Sequence, residues 1–280
     1  MVETDLDGPI IEANAITALD VRTLRIERLV LEAEMGCDAL RIGGESLHQL
    51  PTGTPIHRGT KIARLPRMRV PIFPLDNVVL FPSVQVPLYI FEPRYRQMTA
   101  AALEEDLHIG MVAVQPQHLD AMSGDPPVFP VGCLGEIGHS EPHEDGTYHL
   151  ILQGTSRFRI EAEVPKEAGR EYRLANVKLL EEEPDPPGNA LEPVRARVLD
   201  LMCRIAPDRA ASFRVELFAH LDNATFVNAF CQSLDFSTLE KQPLLEANSV
   251  RGRAEQLVAL MDFRLASQSL NGAPSPNTIH

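Results

Sequence analysis

The chain has 280 residues, 44% of them hydrophobic, which is enough apolar side chain for one large domain or two small ones and excludes disorder throughout its length. With 39 acidic against 26 basic residues, the formal net charge is -13, so most of the surface repels phosphate backbones and anionic lipid heads. Nucleic acid and membrane are therefore not the expected partners. No apolar run reaches the roughly 18 residues of a membrane span, and the first residues lack a basic stretch followed by an apolar block. Cys37, Cys133, Cys203 and Cys231 are scattered without a C-x-x-C pair, which fits reduced thiols in a cytoplasmic chain.

Residues 1–67 form an N-terminal extension. Ile16, Leu19, Ile26, Val30 and Ala33 recur at helical spacing before the turn cluster Leu50–Pro55, which predicts at most one amphipathic helix. One apolar stripe cannot build a core alone, so three readings stay open: the helix packs on the rest, the segment is loose, or translation starts at Met68.

From 68 to 183 the period is mostly two. Val86, Leu88 and Ile90 alternate with Pro87, Tyr89 and Phe91, and a half-exposed strand is expected where Phe158, Ile160, Ala162 and Val164 alternate with Arg157, Arg159, Glu161 and Glu163. Asp145-Gly146 reverses the chain between Val131–Ile137 and Tyr148–Leu152, a hairpin. A helix opens at Glu92-Pro93 with Tyr95, Met98 and Ala102 on its apolar side. The run Glu181–Ala190 carries four acids and three prolines and reads as a linker, its glutamates as a solubilising charge run.

Beyond it, residues 184–266 have helical period. Val194, Val198, Leu201 and Ile205 make one stripe; Val227, Phe230, Cys231 and Leu234 make another behind an Asp222-Asn223 cap. Ser237–Glu240 has capping-box spacing, with Pro243 expected to kink or delay its helix, and a last helix is predicted from about Ser249 to Ala266. Residues 267–280 read as a frayed tail.

The chain contains no Gly-Lys dipeptide, hence no phosphate-binding G-x-x-x-x-G-K-[ST] loop, and no G-x-S-x-G nucleophile elbow. Its glycines match no dinucleotide fingerprint, and only four lysines are available for a Ser-Lys dyad. His139, His143 and His149 fall within a dozen residues, but on a hairpin tip such ligands are poorly preorganised, and a solvated polar turn is the plainer reading. No cofactor or metal is assigned. Arg94-Tyr95-Arg96 and Arg157-Phe158-Arg159 interleave cations and rings as a single-stranded nucleic-acid platform does, against the global charge.

Arg69–Pro82, followed by Val86–Arg96, resembles the opening of the Lon N-terminal, substrate-binding domain family, and Val131–Ile137 with Asp145-Gly146, Gln153–Ile160 and Glu240–Glu246 agree with it. The resemblance spans about residues 69 to 266, departing from the family in the prefix before Met68 and in Pro243. It implies an α+β fold, a PUA-like antiparallel pseudo-barrel followed by a C-terminal helical bundle. It also implies a non-catalytic module that binds unfolded or client polypeptides as an adaptor or chaperone-like binder and works with an ATP-dependent protease. An RNA-binding PUA-like protein is the alternative. Pro82, Tyr89, Phe91, Arg94 and Tyr95 are the candidate peptide-binding residues, either an apolar, arginine-edged groove or core and core edge, with Arg94–Glu92 as a structural ion pair in the second case.

Overall fold

The computed structural model describes residues 11–12, 67–122, 124–184, 191–205, 218 and 220–271. The helix expected near 16–33, most of the linker and the last residues of the tail lie outside these.

A long strand organises the sheet. β6 (Tyr148–Val164) pairs along one side with β5 (Val131–Pro142), and on its other side is shared between β3 (Gln85–Ile90) and β7 (Arg173–Leu179). Its second half closes a ring: β6, β5, β4 (His108–Ala113), β2 (Arg67–Leu75) and β7, which returns to β6. All ring contacts are antiparallel except one. β2 and β4 run parallel, Ile72 opposite Gly110, because the chain between them crosses over through helix α1 (Pro93–Glu104) instead of a hairpin. The barrel is thus mixed, not wholly antiparallel.

Closure needs both sheet faces buried, and the residues supply two cores. Val70, Ile72, Val112, Leu134, Phe158, Ala175 and Val177 fill one face. Phe158 lodges over two glycines: a Cβ built on Gly110 or Gly132 would lie 2.9 or 2.8 Å from its Cζ. The larger core takes the other face, including Phe73, Val86, Leu88, Cys133 and Leu152, and continues without a break into the helices. Arg157 and Phe158, expected on a half-exposed strand, are both buried, one on each face.

β3 stays outside the ring. It begins at a G1 bulge: Ser83, at φ +63, donates its N–H to the Gly154 carbonyl, and Gly154 donates to the Val84 carbonyl, both at 2.8 Å. Its other edge meets β1, the two residues Ile11–Glu12, in parallel.

Among the described residues there are five α-helices: α1, α2 (Glu192–Ile205), α3 (Asn223–Ser233), α4 (Thr238–Glu246) and α5 (Val250–Asn271). Asp222 accepts from Thr225 N at 3.0 Å, and Ser237 with Glu240 forms the expected capping box. α4 runs through Pro243. Pro243 has no N–H to give the Leu239 carbonyl, and Leu239 lies on the exposed side of the helix, where that loss costs least. α5 extends to Asn271, beyond the end that periodicity places near Ala266, with Ser267 Oγ bonding back to Phe263 O at 2.9 Å.

Candidate functional site

The helices are fastened to the barrel by buried polar groups, and these absorb several residues that look functional in the sequence. Arg253, fully buried, donates to Leu244 O (2.9 Å), Asn228 Oδ1 (2.9 Å) and the Glu182 carboxylate (2.7 Å). Arg157 donates to Leu245 O at 3.0 Å. Its Nε lies 2.9 Å from the same Glu182 carboxylate, a Coulomb contact in which the N–H is not aligned for a hydrogen bond. Burial pulls the Arg157 guanidinium down from its usual range, and Glu182 opposes that pull. The acidic run at 181–183 is therefore more than solubilising: the Glu182 carboxylate is the counter-charge shared by two buried guanidiniums, and Glu183 N bonds Asn248 O at 2.9 Å.

The candidate residues divide. Tyr95 is 2% exposed, its ring tilted against Phe73 with centroids 4.6 Å apart, and burial pushes its phenol up to about 12. Arg94 lies over that ring at 4.5 Å and donates to Glu92 (2.8 Å), Met122 O (2.7 Å) and Gly124 O (2.8 Å), tying α1 to the loop before β5. Pro82 sits half-buried at the bulge, its carbonyl accepting from Asn228 Nδ2 at 3.0 Å. Tyr89 and Phe91 remain together, half-buried, with ring centroids 5.9 Å apart.

Two residues join them that the sequence alone places on a solvated turn. Tyr89 is the cross-strand partner of His149, rings 5.0 Å apart, and His149 meets His143 edge-on at 4.5 Å with Nε2···Nδ1 at 3.1 Å. Glu141 is opposite His149 on β5, which makes Tyr89–His149–Glu141 a row across three strands on the outer face. Counting back from a two-residue Asp145-Gly146 turn would pair Glu141 with Leu150; the hairpin instead closes His143 on Thr147 around three residues, His143 N donating to Thr147 O at 2.9 Å, and this one-residue shift is what brings Glu141 opposite His149. The turn is set by Thr147, whose N and Oγ1 donate to Asp145 Oδ1 at 3.0 and 2.7 Å; the backbone bond first, then the hydroxyl, hold that carboxyl below its usual range. Arg96 braces the turn against α1, its guanidinium filling the space a side chain on Gly146 would need.

Of the three hairpin imidazoles, the fold brings two into contact and leaves His139 exposed beside Ile151; among the described residues no group of three potential ligands could hold a metal ion. Both arginine-aromatic motifs have their rings in the core, so neither Tyr95 nor Phe158 offers a base a stacking face. No described helix is long and apolar enough to cross a membrane. A shallow depression lined by Asp125, Glu163, Lys166 and Arg173 has its charges satisfied internally by Lys166–Asp125 (2.7 Å) and Arg173–Glu163.

A mixed barrel fastened to a helical lobe, with one strand outside the ring and an aromatic row beside it, defines an α+β domain of the kind found at the N-terminus of Lon proteins. The Lon N-terminal domain protein from Xanthomonas campestris superposes with a TM-score of 0.50 at 23% identity, covering 69% of this chain and 98% of that one. The N-terminal domain of Mycobacterium avium complex Lon protease gives 0.55 at 15% identity, covering 70% and 98%. The family model for the ATP-dependent protease La (LON) substrate-binding domain matches residues 69–262, and the chain belongs to that family. Lon protease of Escherichia coli (strain K12) is 26% identical over 208 residues, 72% of this chain and 26% of that protein. Lon protease of Parabacteroides distasonis is 26% identical over 201 residues, 69% and 24%. The chain spans about a quarter of the length of the curated relatives it matches.

Proposed function

We propose that this chain is a non-catalytic polypeptide-recognition module, an adaptor or chaperone-like binder that holds exposed segments of client proteins. The observation that carries the reading is its membership of the substrate-binding domain family over residues 69–262. The chemistry at the surface agrees with it: Tyr89 and Phe91 offer large, half-exposed rings, the residue type that anchors polypeptide interfaces, with Pro82 in the turn that precedes β3. Arg94 and Tyr95 are engaged elsewhere, Tyr95 against Phe73 and Arg94 with the loop before β5. An ATP-dependent protease acting with it would supply unfolding and cleavage. A cytoplasmic location keeps Cys133, Cys203 and Cys231 as free thiols.

The test is binding of a fluorescently labelled, reduced and carboxymethylated model protein to the full chain. The expected result is saturable binding that weakens about tenfold in Tyr89→Ala and in Phe91→Ala, the loss of an anchor ring at an interface. Failure to bind, or binding indifferent to both substitutions, refutes the reading or its placement on this surface.

A further inference from the structure

We propose that the outer edge of β3 is a strand-addition site for an extended client segment, and that the chain's own Ile11–Glu12 occupies it until a client displaces it. This deepens the polypeptide-binding reading and rests on it.

The pairing of β3 determines which of its backbone groups are spare. At the bulge, Val84 turns its carbonyl toward Gly154 of β6. Alternation along the antiparallel pair then turns the backbone groups of Val86, Leu88 and Ile90 toward β6, and those of Gln85, Pro87 and Tyr89 away from it. The side chains agree, Val86, Leu88 and Ile90 being fully buried and Gln85, Pro87 and Tyr89 half-buried. Pro87 has no N–H, and it stands at a position where none is needed for pairing with β6, as prolines of edge strands do. The free edge therefore presents the carbonyls of Gln85, Pro87 and Tyr89 and the N–H groups of Gln85 and Tyr89.

An unpaired edge is a template for another strand. On β3 a strand is already seated: residue 11 lies opposite Leu88 and residue 12 opposite Tyr89, in parallel. Because the backbone of Leu88 faces β6, residue 11 addresses the Pro87 carbonyl with its N–H and the Tyr89 N–H with its carbonyl. The groups of residue 12 point away. Among the described residues the pairing spans these two and stops short of Gln85, so a longer strand that also bonds Gln85 makes more bonds along the same edge and can displace it. A longer client strand in the same register would reach Gln85 as well and run alongside the Tyr89–Phe91 rings. Its residue opposite Leu88 falls on the core side, its residue opposite Tyr89 on the side of the aromatic row, which favours alternating apolar and polar clients.

The experiment uses the full chain and two variants. Ile11→Pro removes the N–H that Pro87 accepts; Glu12→Pro alters a residue whose N–H faces away and serves as control. Amide exchange at Tyr89, read by NMR, is expected to accelerate about tenfold in Ile11→Pro and to stay within about twofold in Glu12→Pro. The carboxymethylated client is expected to bind Ile11→Pro about three- to tenfold more tightly than the wild-type chain, and to restore protection of Tyr89 when bound. Unchanged exchange in Ile11→Pro overturns occupation of the edge. Faster exchange with unchanged affinity, and Tyr89 unprotected in the complex, overturns the competition while leaving polypeptide binding intact. No client binding by any form removes the polypeptide reading, and the proposed competition with it.

Discussion

Replacing Glu182 by Gln tests whether the acidic run at the end of the barrel acts as the counter-charge for the buried arginines. The substitution keeps the shape and one acceptor oxygen and removes the charge, leaving Arg253 at 0% and Arg157 at 2% side-chain exposure without a neutralising partner. Breaking a fully buried pair costs about 3–5 kcal/mol, but the Glu182 side chain is 34% exposed, so solvent screening lowers the expected loss to about 2 kcal/mol. For a domain of this size that is a fall in Tm of about 4–8 °C. The melt should remain a single transition, because the larger core runs continuously from barrel to helices. Glu181→Gln, a neighbouring exposed carboxylate, is the control and should shift Tm by less than about 2 °C. Differential scanning calorimetry at low salt and at about 1 M NaCl separates the cases further, since a surface pair is screened and this one is largely not. A Glu182→Gln melt indistinguishable from that of Glu181→Gln would refute the assignment.

Two further outcomes follow from crowding and from burial. Gly110→Ala places a Cβ 2.9 Å from Phe158 Cζ and 3.0 Å from Val70 Cγ1, an overpacking expected to cost about 1–3 kcal/mol in urea unfolding. Phe158→Leu in the same chain should recover part of it, a coupling that a double-mutant cycle measures. Lys241, whose Nζ donates to Gln232 O at 2.8 Å, is pushed down from 10.5 to about 8 by burial. Between these values the unfolded chain holds the proton and the folded chain has lost it, so this group makes stability rise with pH across that window and is a net cost below it. At about 1.4 kcal/mol per pH unit the cost is about 3 kcal/mol at neutral pH. Lys241→Met should therefore stabilise by about 1–2 kcal/mol at pH 7, after about 1 kcal/mol for the lost hydrogen bond, with the gain shrinking toward pH 10. The comparison is of variant against wild type at each pH, because burial pushes Cys133, Cys231 and Tyr95 up to about 12, and these lower the stability of both chains as pH rises through the same range. A gain that does not vary with pH contradicts burial of the Lys241 ammonium as its cause.

The elements with strong local signals are legible without the structure. Pro93 opening α1, the Asp222 cap, the Ser237–Glu240 box and the alternation of Val86, Leu88 and Ile90 are each written within a few residues. What stays hidden depends on pairing between distant segments. β6 alternates like a half-exposed strand over Arg157–Val164, yet barrel closure buries Phe158 and the helices bury Arg157, and a buried arginine reads as a surface one until Glu182 and the Leu245 carbonyl of α4 are brought to it. For the same reason the run 181–183 looks like solvated charge. Its composition contains no trace of the two guanidiniums it faces.

The site shows the same division more sharply. Arg94, Tyr95, Tyr89 and Phe91 are neighbours in the chain, but the passage from strand to helix between Ile90 and Pro93 sends them to different environments. Period two puts Tyr89 on the outer face of β3, and period 3.6 turns Tyr95 into the core against Phe73. The partners of Tyr89 come from further on, at His149 and His143, because β6 is long enough to serve two neighbours in turn. Its second half closes the ring onto β7, and its first half carries β3 past the point of closure. A strand left outside the ring, bearing rings on its solvent face, is the direct consequence of that length. The proposed recognition surface is thus set where the barrel stops closing, and a shorter β6 would remove the edge together with the aromatic row.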